Sequence, residues 1–204
     1  MSNSIFKKLT WLDKTNNPFG ILCLDCRAFS RPWLSTTKDP KVAAQFSELR
    51  KSSGKQHIGK LPPNVVSLAC DLAYPHDGQS KDGPLFIAEV MEDKWEVYLY
   101  EGYLYFARSW TGDLVFRARI NFTASQANIT SIDADGQAAS QNSTYIVRQV
   151  DFLVKSHLYR REVPHPLPED LANDTQVIAL FSFSQYGRWA SFATYEDTTQ
   201  IRIT

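Results

Sequence analysis

Between Trp95 and Phe122 apolar and polar side chains alternate, as in WEVYLYEGYLYFARSW, with the two-residue period of half-buried strands. Glu101-Gly102 suits a two-residue hairpin turn. That turn sets Leu99 opposite Leu104, Val97 opposite Phe106 and Trp95 opposite Arg108, and the apolar faces agree. For the next turn, a two-residue Thr111-Gly112 loop would put the apolar stripes on opposite faces. A three-residue loop, Thr111 to Asp113, restores agreement by setting Trp110 against Leu114, Arg108 against Phe116, Phe106 against Ala118 and Leu104 against Ile120. A three-stranded meander follows.

Elsewhere the period changes. NPFGILCLDC reads as a turn and a short buried strand, and LFIAEV as a strand buried on both faces. KDPKVAAQFSELRKSSG predicts a helix over 40–52, with Asp39 as cap, Pro40 in the first turn, Val42, Ala43, Phe46 and Leu49 on one face, and Gly54 closing it. An apolar stretch runs from Val65 to Ala73, and YPHDGQSKDG predicts an exposed loop. Residues 143–158 return to helical period and end before the prolines of EVPHPLPED. NDTQVIALFSFSQYG suits a buried helix over 175–186, capped by Asp174 and stopped by Gly187, although period alone also admits a strand. TTQIRIT alternates like an edge strand. The whole predicts an α+β fold, an antiparallel meander with packed helices, in a single domain over 1–204.

Arg108 is the misfit in this pattern. The register flanks it with Trp95 and Phe116 across the strands, and with Phe106 and Trp110 along its own. A guanidinium there keeps its charge, so it needs a carboxylate, carbonyls, an aromatic face or a ligand anion. One reading is an internal pair with stacking on Trp95. The other makes Arg108 and Ser109 the floor of an anion or partner pocket.

The opposite face of the meander carries Glu96, Tyr98, Tyr100, Tyr103, Tyr105, Arg117 and Arg119, with Arg119 set across from Tyr105. Exposed, such a face suits a protein partner. Covered, it is a second core layer with its hydroxyls tied off, and this is the reading we favour.

Composition narrows the class. With 43% hydrophobic and 13% aromatic residues, 204 residues suffice for one large domain with a real core. Net charge is zero but unevenly spread: residues 1–63 hold 11 Lys/Arg against 4 Asp/Glu, a surplus of +7 that the remainder cancels. Such polarity can steer a partner, but it is not the basic balance of a nucleic-acid binder. MSNSIFKKLTWLDKTNN lacks the apolar core of a signal peptide, and no run approaches the ~18 apolar residues of a membrane span, so a cytoplasmic protein is expected. The four Asn-x-Ser/Thr triplets, at Asn121, Asn128, Asn142 and Asn173, matter only in a secreted chain.

Familiar motifs fail on their chemistry. GKQHIGKL has the glycines and lysine of a phosphate loop, but Leu61 stands where a hydroxyl should hold magnesium, and Pro62-Pro63 forbids the following helix. Cys23, Cys26 and Cys70 are too irregular for a disulfide framework. In a strand Cys23 and Cys26 would point to opposite faces, which predicts buried thiols rather than zinc. His57, His76, His157 and His165 show no ligand spacing, and no Gly-x-Ser-x-Gly turn or reactive cysteine setting is present. Neither a metal nor a cofactor is called for.

LYFARSWTGDLVF resembles an Arg-Ser-Trp-Thr-Gly hairpin of small, functionally uncharacterised bacterial proteins. The resemblance implies that residues 108–112 form a recurrent structural unit, and it carries no activity. The expected function is a non-catalytic bacterial protein-binding module, such as an immunity-type inhibitor, with Trp95, Tyr98, Tyr105, Arg108, Ser109, Trp110, Arg117 and Arg119 as candidate contacts. The alternative is a small enzyme or sensor that takes a phosphate-bearing ligand at Arg108.

Overall fold

The computed structural model describes residue 6, residues 8–136 and residues 142–203. Residues 1–5 and 7, part of the stretch read for a leader, and Thr204 lie outside them. Among the described residues, ten strands and four helices make an α+β protein, whose contacts gather into two compact units, residues 36–147 with 203–204 and residues 1–35 with 148–202. No helix among the described residues is long and apolar enough to cross a membrane.

The first unit is built on six antiparallel strands: β3 (Val66–Pro75), β4 (Gly83–Phe86), β5 (Trp95–Tyr100), β6 (Tyr103–Arg108), β7 (Leu114–Phe122) and β8 (Gln126–Ala134). Their order is β3-β8-β7-β6-β5-β4. The β5–β6 hairpin has the expected register, including Trp95 opposite Arg108, because Glu101 and Gly102 supply the two positive φ angles (52° and 75°) that such a tight turn requires. Every residue of β5 is buried, as befits a strand paired on both edges.

The β6–β7 register differs from the expected one by two residues. Phe106 faces Phe116, Leu104 faces Ala118 and Tyr105 faces Arg117, and a bulge beside Ala107 follows. Five residues, Ser109 to Asp113, form the loop, closed by the Arg108 amide on the Asp113 carbonyl (2.9 Å) and the Gly112 amide on the Arg108 carbonyl (2.7 Å). A shift of two leaves every side chain on its face, so alternation alone does not detect it. β4 is also not the doubly buried strand expected of LFIAEV. It is an edge strand carrying Pro84, with Leu85 41% exposed, and it ends at Phe86.

Helix α1 (Arg27–Ser30) belongs to the second unit, and α2 (Pro40–Leu49) to the first. Asp39 caps α2 by accepting from the Lys41 amide, and the helix ends at Leu49, before Gly54. It meets the sheet at the 109–113 loop, where Gln45 donates to the Thr111 carbonyl at 3.1 Å.

The second unit holds a four-stranded sheet, ordered β1 (Thr10–Leu12), β2 (Cys23–Asp25), β10 (Phe192–Thr194) and β9 (Pro164–Pro166), with only the β9–β10 pair parallel. Leu24, Cys26, Leu167, Ile178 and Ala193 form one of its apolar clusters. Helix α3 (Ser143–Leu153) passes into a widened turn, Val154–Leu158, in which the Tyr159 amide reaches the Val154 carbonyl. Helix α4 (Thr175–Tyr186) begins at Asp174, which accepts from the amides of Gln176 and Val177, and stops at Gly187. Among the described residues, 198–203 do not form the expected final strand: the Asp197 carboxylate accepts the Thr199 amide, and the Ile201 amide bonds the Thr198 carbonyl, which turns the chain.

Candidate functional site

The Arg-Ser-Trp-Thr-Gly corner brings together four of the sequence-predicted site residues. The Arg108 guanidinium lies 4.8 Å over the Trp95 ring, which in turn stacks on Phe116 at 5.7 Å and 14°. Ser109 is wholly buried. Its hydroxyl donates to the Asp93 carbonyl at 2.5 Å and its amide to the Lys94 carbonyl. Trp110 donates its indole N–H to the Met91 carbonyl at 2.8 Å.

Lys94, which sequence reasoning missed, completes the cluster. Its ammonium donates to the same Met91 carbonyl and sits 4.4 Å over the Trp110 ring. Burial, and then the neighbouring charge of Arg108, lower its pKa to about 8. Two cations thus share two indoles at one corner of the sheet. These bonds to residues 91–94 draw Ser109 and Trp110 out of the strand, which is why β6 ends at Arg108. Gly112 completes the corner beneath α2: a Cβ there would lie 2.9 Å from Leu49 Cδ2.

The Tyr/Arg face divides in two. At one end, residues 52–60 cover it and tie off its hydroxyls, as expected of a second core layer. Tyr100 donates to the Ser53 carbonyl at 2.6 Å, and Tyr105 accepts the Gly59 amide at 3.2 Å. Tyr98, also buried, donates to Glu96 Oε2 at 2.5 Å. The glycines of the phosphate-loop look-alike therefore serve packing: Gly54 lies directly against the Tyr98 ring, and the Gly59 amide is taken by Tyr105. Burial pushes the Glu96 carboxyl up to about 7.

At the other end the face is open. Tyr103 is half-buried and holds two guanidiniums, Arg117 at 4.6 Å and Arg119 at 5.3 Å from its ring centroid, while its hydroxyl accepts from Arg119 at 2.9 Å. The two-residue correction places Arg119 opposite Tyr103, and Arg117 opposite Tyr105. Arg117 is also paired with Asp133 at 2.6 Å. Asp133 accepts from Ser67 as well.

Two histidines without a motif turn out to be core residues of the second unit. His157 and His165 are fully buried, and burial lowers each to about 3, so both are neutral near pH 7. His165 Nε2 lies 2.7 Å from Ser182 Oγ, among the rings of Phe152 and Tyr186. His165 lies between two prolines in β9, a three-residue strand too short for any period to register.

The cysteines do not share a strand: Cys23 opens β2, whereas Cys26 precedes α1. Burial raises their thiols to about 11 and 12, which keeps both protonated at neutral pH. Among the described residues, no group of three or more His, Cys, Asp or Glu side chains is arranged to hold a metal ion. No protein family, curated protein or solved structure matches this chain.

Proposed function

We propose that this protein is a non-catalytic binding module that recognises a protein partner through the open end of its Tyr/Arg face, in the manner of a bacterial immunity-type inhibitor. The observation that carries the reading is the Tyr103, Arg117 and Arg119 group. The neighbouring tyrosines turn their hydroxyls inward, whereas this end offers the half-buried Tyr103 ring and the exposed Arg119 guanidinium, with Arg117 held behind them by Asp133. Tyrosine and arginine dominate the energetics of protein interfaces because they bury large area at small entropic cost. The partner's contact surface is accordingly acidic or rich in carbonyl acceptors, and it docks without a nucleic acid or a membrane.

The test is quantitative mass spectrometry of proteins captured from the native cells on the wild type and on Tyr103→Ala and Arg119→Glu variants. A partner recovered in stoichiometric amount with the wild type and lost with both variants supports the reading. Equal recovery on all three, or none on any, overturns it.

A second reading rests on the Lys94 and Arg108 pair. Two cations stacked on Trp110 and Trp95 make a corner in which a phosphate-bearing ligand offsets their mutual repulsion. A thermal-shift screen of nucleotides and phosphosugars, repeated with Arg108→Ala, tests it; a ligand shift that persists in the variant removes this reading.

A further inference from the structure

The two edges of the six-stranded sheet are built differently. β4 has four residues, carries Pro84 and bulges between Pro84 and Phe86, and shortness, proline and bulges all keep a second chain from adding to an edge. β3 has ten residues, with no proline before Pro75 and one charge, Asp71, which lies in the bulge between Ala69 and Leu72. Residues 66–69 pair regularly with β8 and have none of these devices. An edge strand directs half of its amides and carbonyls away from the sheet. Among the described residues, the backbone of residues 66–69 bonds no segment other than β8.

The apolar face of the sheet runs out at the same place. Ala134 and Ile132 of β8 are wholly buried, but their partners on β3 are not: Val66 is 39% exposed, Leu68 is half-buried, and Val65 before them is exposed. An outward backbone row beside an uncovered apolar margin fits an extended strand that bonds the row and carries apolar side chains at alternate positions. Residues 66–69 are themselves such a strand. Antiparallel pairing of an edge with its own copy is a two-fold arrangement, so every contact is made twice. With the axis at Leu68, Leu68 faces its copy and Ser67 faces Ala69, both Val66 side chains lie on the side of Leu68, and the two Asp71 carboxylates stay well apart.

We infer that residues 66–69 pair antiparallel with the same residues of a second copy, which joins two six-stranded sheets edge to edge. The second copy's Val66 and Leu68 then extend the apolar face over the margin that one chain leaves open. The shared edge is short and buries less than the ~1,200 Å² of a standard interface, so the dimer is weak, with Kd on the order of 10–100 μM. Tyr103 and Arg119 belong to β6 and β7, so this inference and the proposed partner face rest on different residues and fail independently.

Sedimentation equilibrium of the full chain, over concentrations that bracket this Kd, tests it. The wild type passes from monomer to dimer. Val66→Lys and Ala69→Lys supply the ammonium by which natural edges resist pairing, and each raises Kd about 10-fold or more. Leu85→Lys, at an exposed apolar residue of the opposite edge, leaves it unchanged; circular dichroism confirms that each variant is folded. Hydrogen exchange on the wild type supplies a readout that needs no variant, since some amides of residues 66–69 exchange more slowly as concentration rises. A wild type that stays monomeric overturns the inference and leaves this edge to a strand of another protein. It is equally overturned if the folded lysine variants associate as the wild type does, if Leu85→Lys weakens association as much as they do, or if exchange at residues 66–69 is independent of concentration.

Discussion

The Tyr98 hydroxyl donates to Glu96 Oε2 at 2.5 Å, between side chains two residues apart on one face of β5, and both residues are buried. Glu96 Oε1 has no hydrogen-bond partner. A carboxyl in this setting favours its neutral form, and burial raises Glu96 from 4.5 to about 7, while the Tyr98 bond pulls the other way.

The folded state therefore holds this proton more tightly than the unfolded chain does. The Glu96 contribution is complete below pH 4.5, is lost as pH rises toward 7, and changes no further above it. The gap corresponds to at most about 3 kcal/mol. Glu96→Gln removes the titration, so the variant gains on the wild type by about 1–3 kcal/mol between pH 4.5 and pH 8. Urea melts across this range check it; a constant difference between the two proteins contradicts it.

The buried histidines act in the opposite sense. Burial lowers His157 and His165 from 6.5 to about 3, so the unfolded chain takes up protons that the folded one refuses. Their stabilisation is present above pH 6.5 and is lost as pH falls toward 3. His165→Gln can still reach Ser182, and it reduces the proton uptake on unfolding near pH 5 by about one. Thermal melts at pH 7, 6, 5 and 4 measure this; an unchanged slope counts against a neutral His165.

Two glycines differ in what surrounds them. At Gly54 (φ 78°) an added Cβ would lie 2.1 Å from Tyr98 Cδ1, in a fully buried ring whose hydroxyl is bonded to Glu96, whereas at Gly112 (φ 75°) it would meet the flexible end of Leu49 at 2.9 Å. Both substitutions to alanine carry the left-handed penalty of about 1 kcal/mol, and Gly54→Ala adds overpacking of about 1–3 kcal/mol. Gly54→Ala is the more damaging in denaturant melts, and equal losses would mean that the Tyr98 ring yields.

The ammonium of Lys155 bonds Asp151 at 2.7 Å and the Thr198 carbonyl at 3.1 Å, with both charged side chains 5% exposed or less. Asp151→Ala strands the cation and costs about 3–5 kcal/mol, whereas an Asp151→Leu, Lys155→Met double variant loses far less. A double-mutant cycle by chemical denaturation measures the difference. Similar losses in the two proteins would show that packing, not charge, dominates there.

What the chain determines locally is legible in it. Asp39, Asp174 and Gly187 mark helix ends because caps and stops satisfy backbone groups within a few residues. The Glu101-Gly102 turn determines the β5–β6 register because its two positive φ angles are properties of those residues alone. The β6–β7 register was decided elsewhere, by Met91, Asp93 and Lys94, whose carbonyls hold Trp110 and Ser109 out of the strand. Tertiary structure likewise chose which tyrosines are covered by residues 52–60, and brought Arg160 and Arg188 to the Trp189 indole across 28 positions of sequence. Side-chain period reports which face a residue occupies. It carries no information about what lies against that face, because the covering segment arrives from a distant part of the chain.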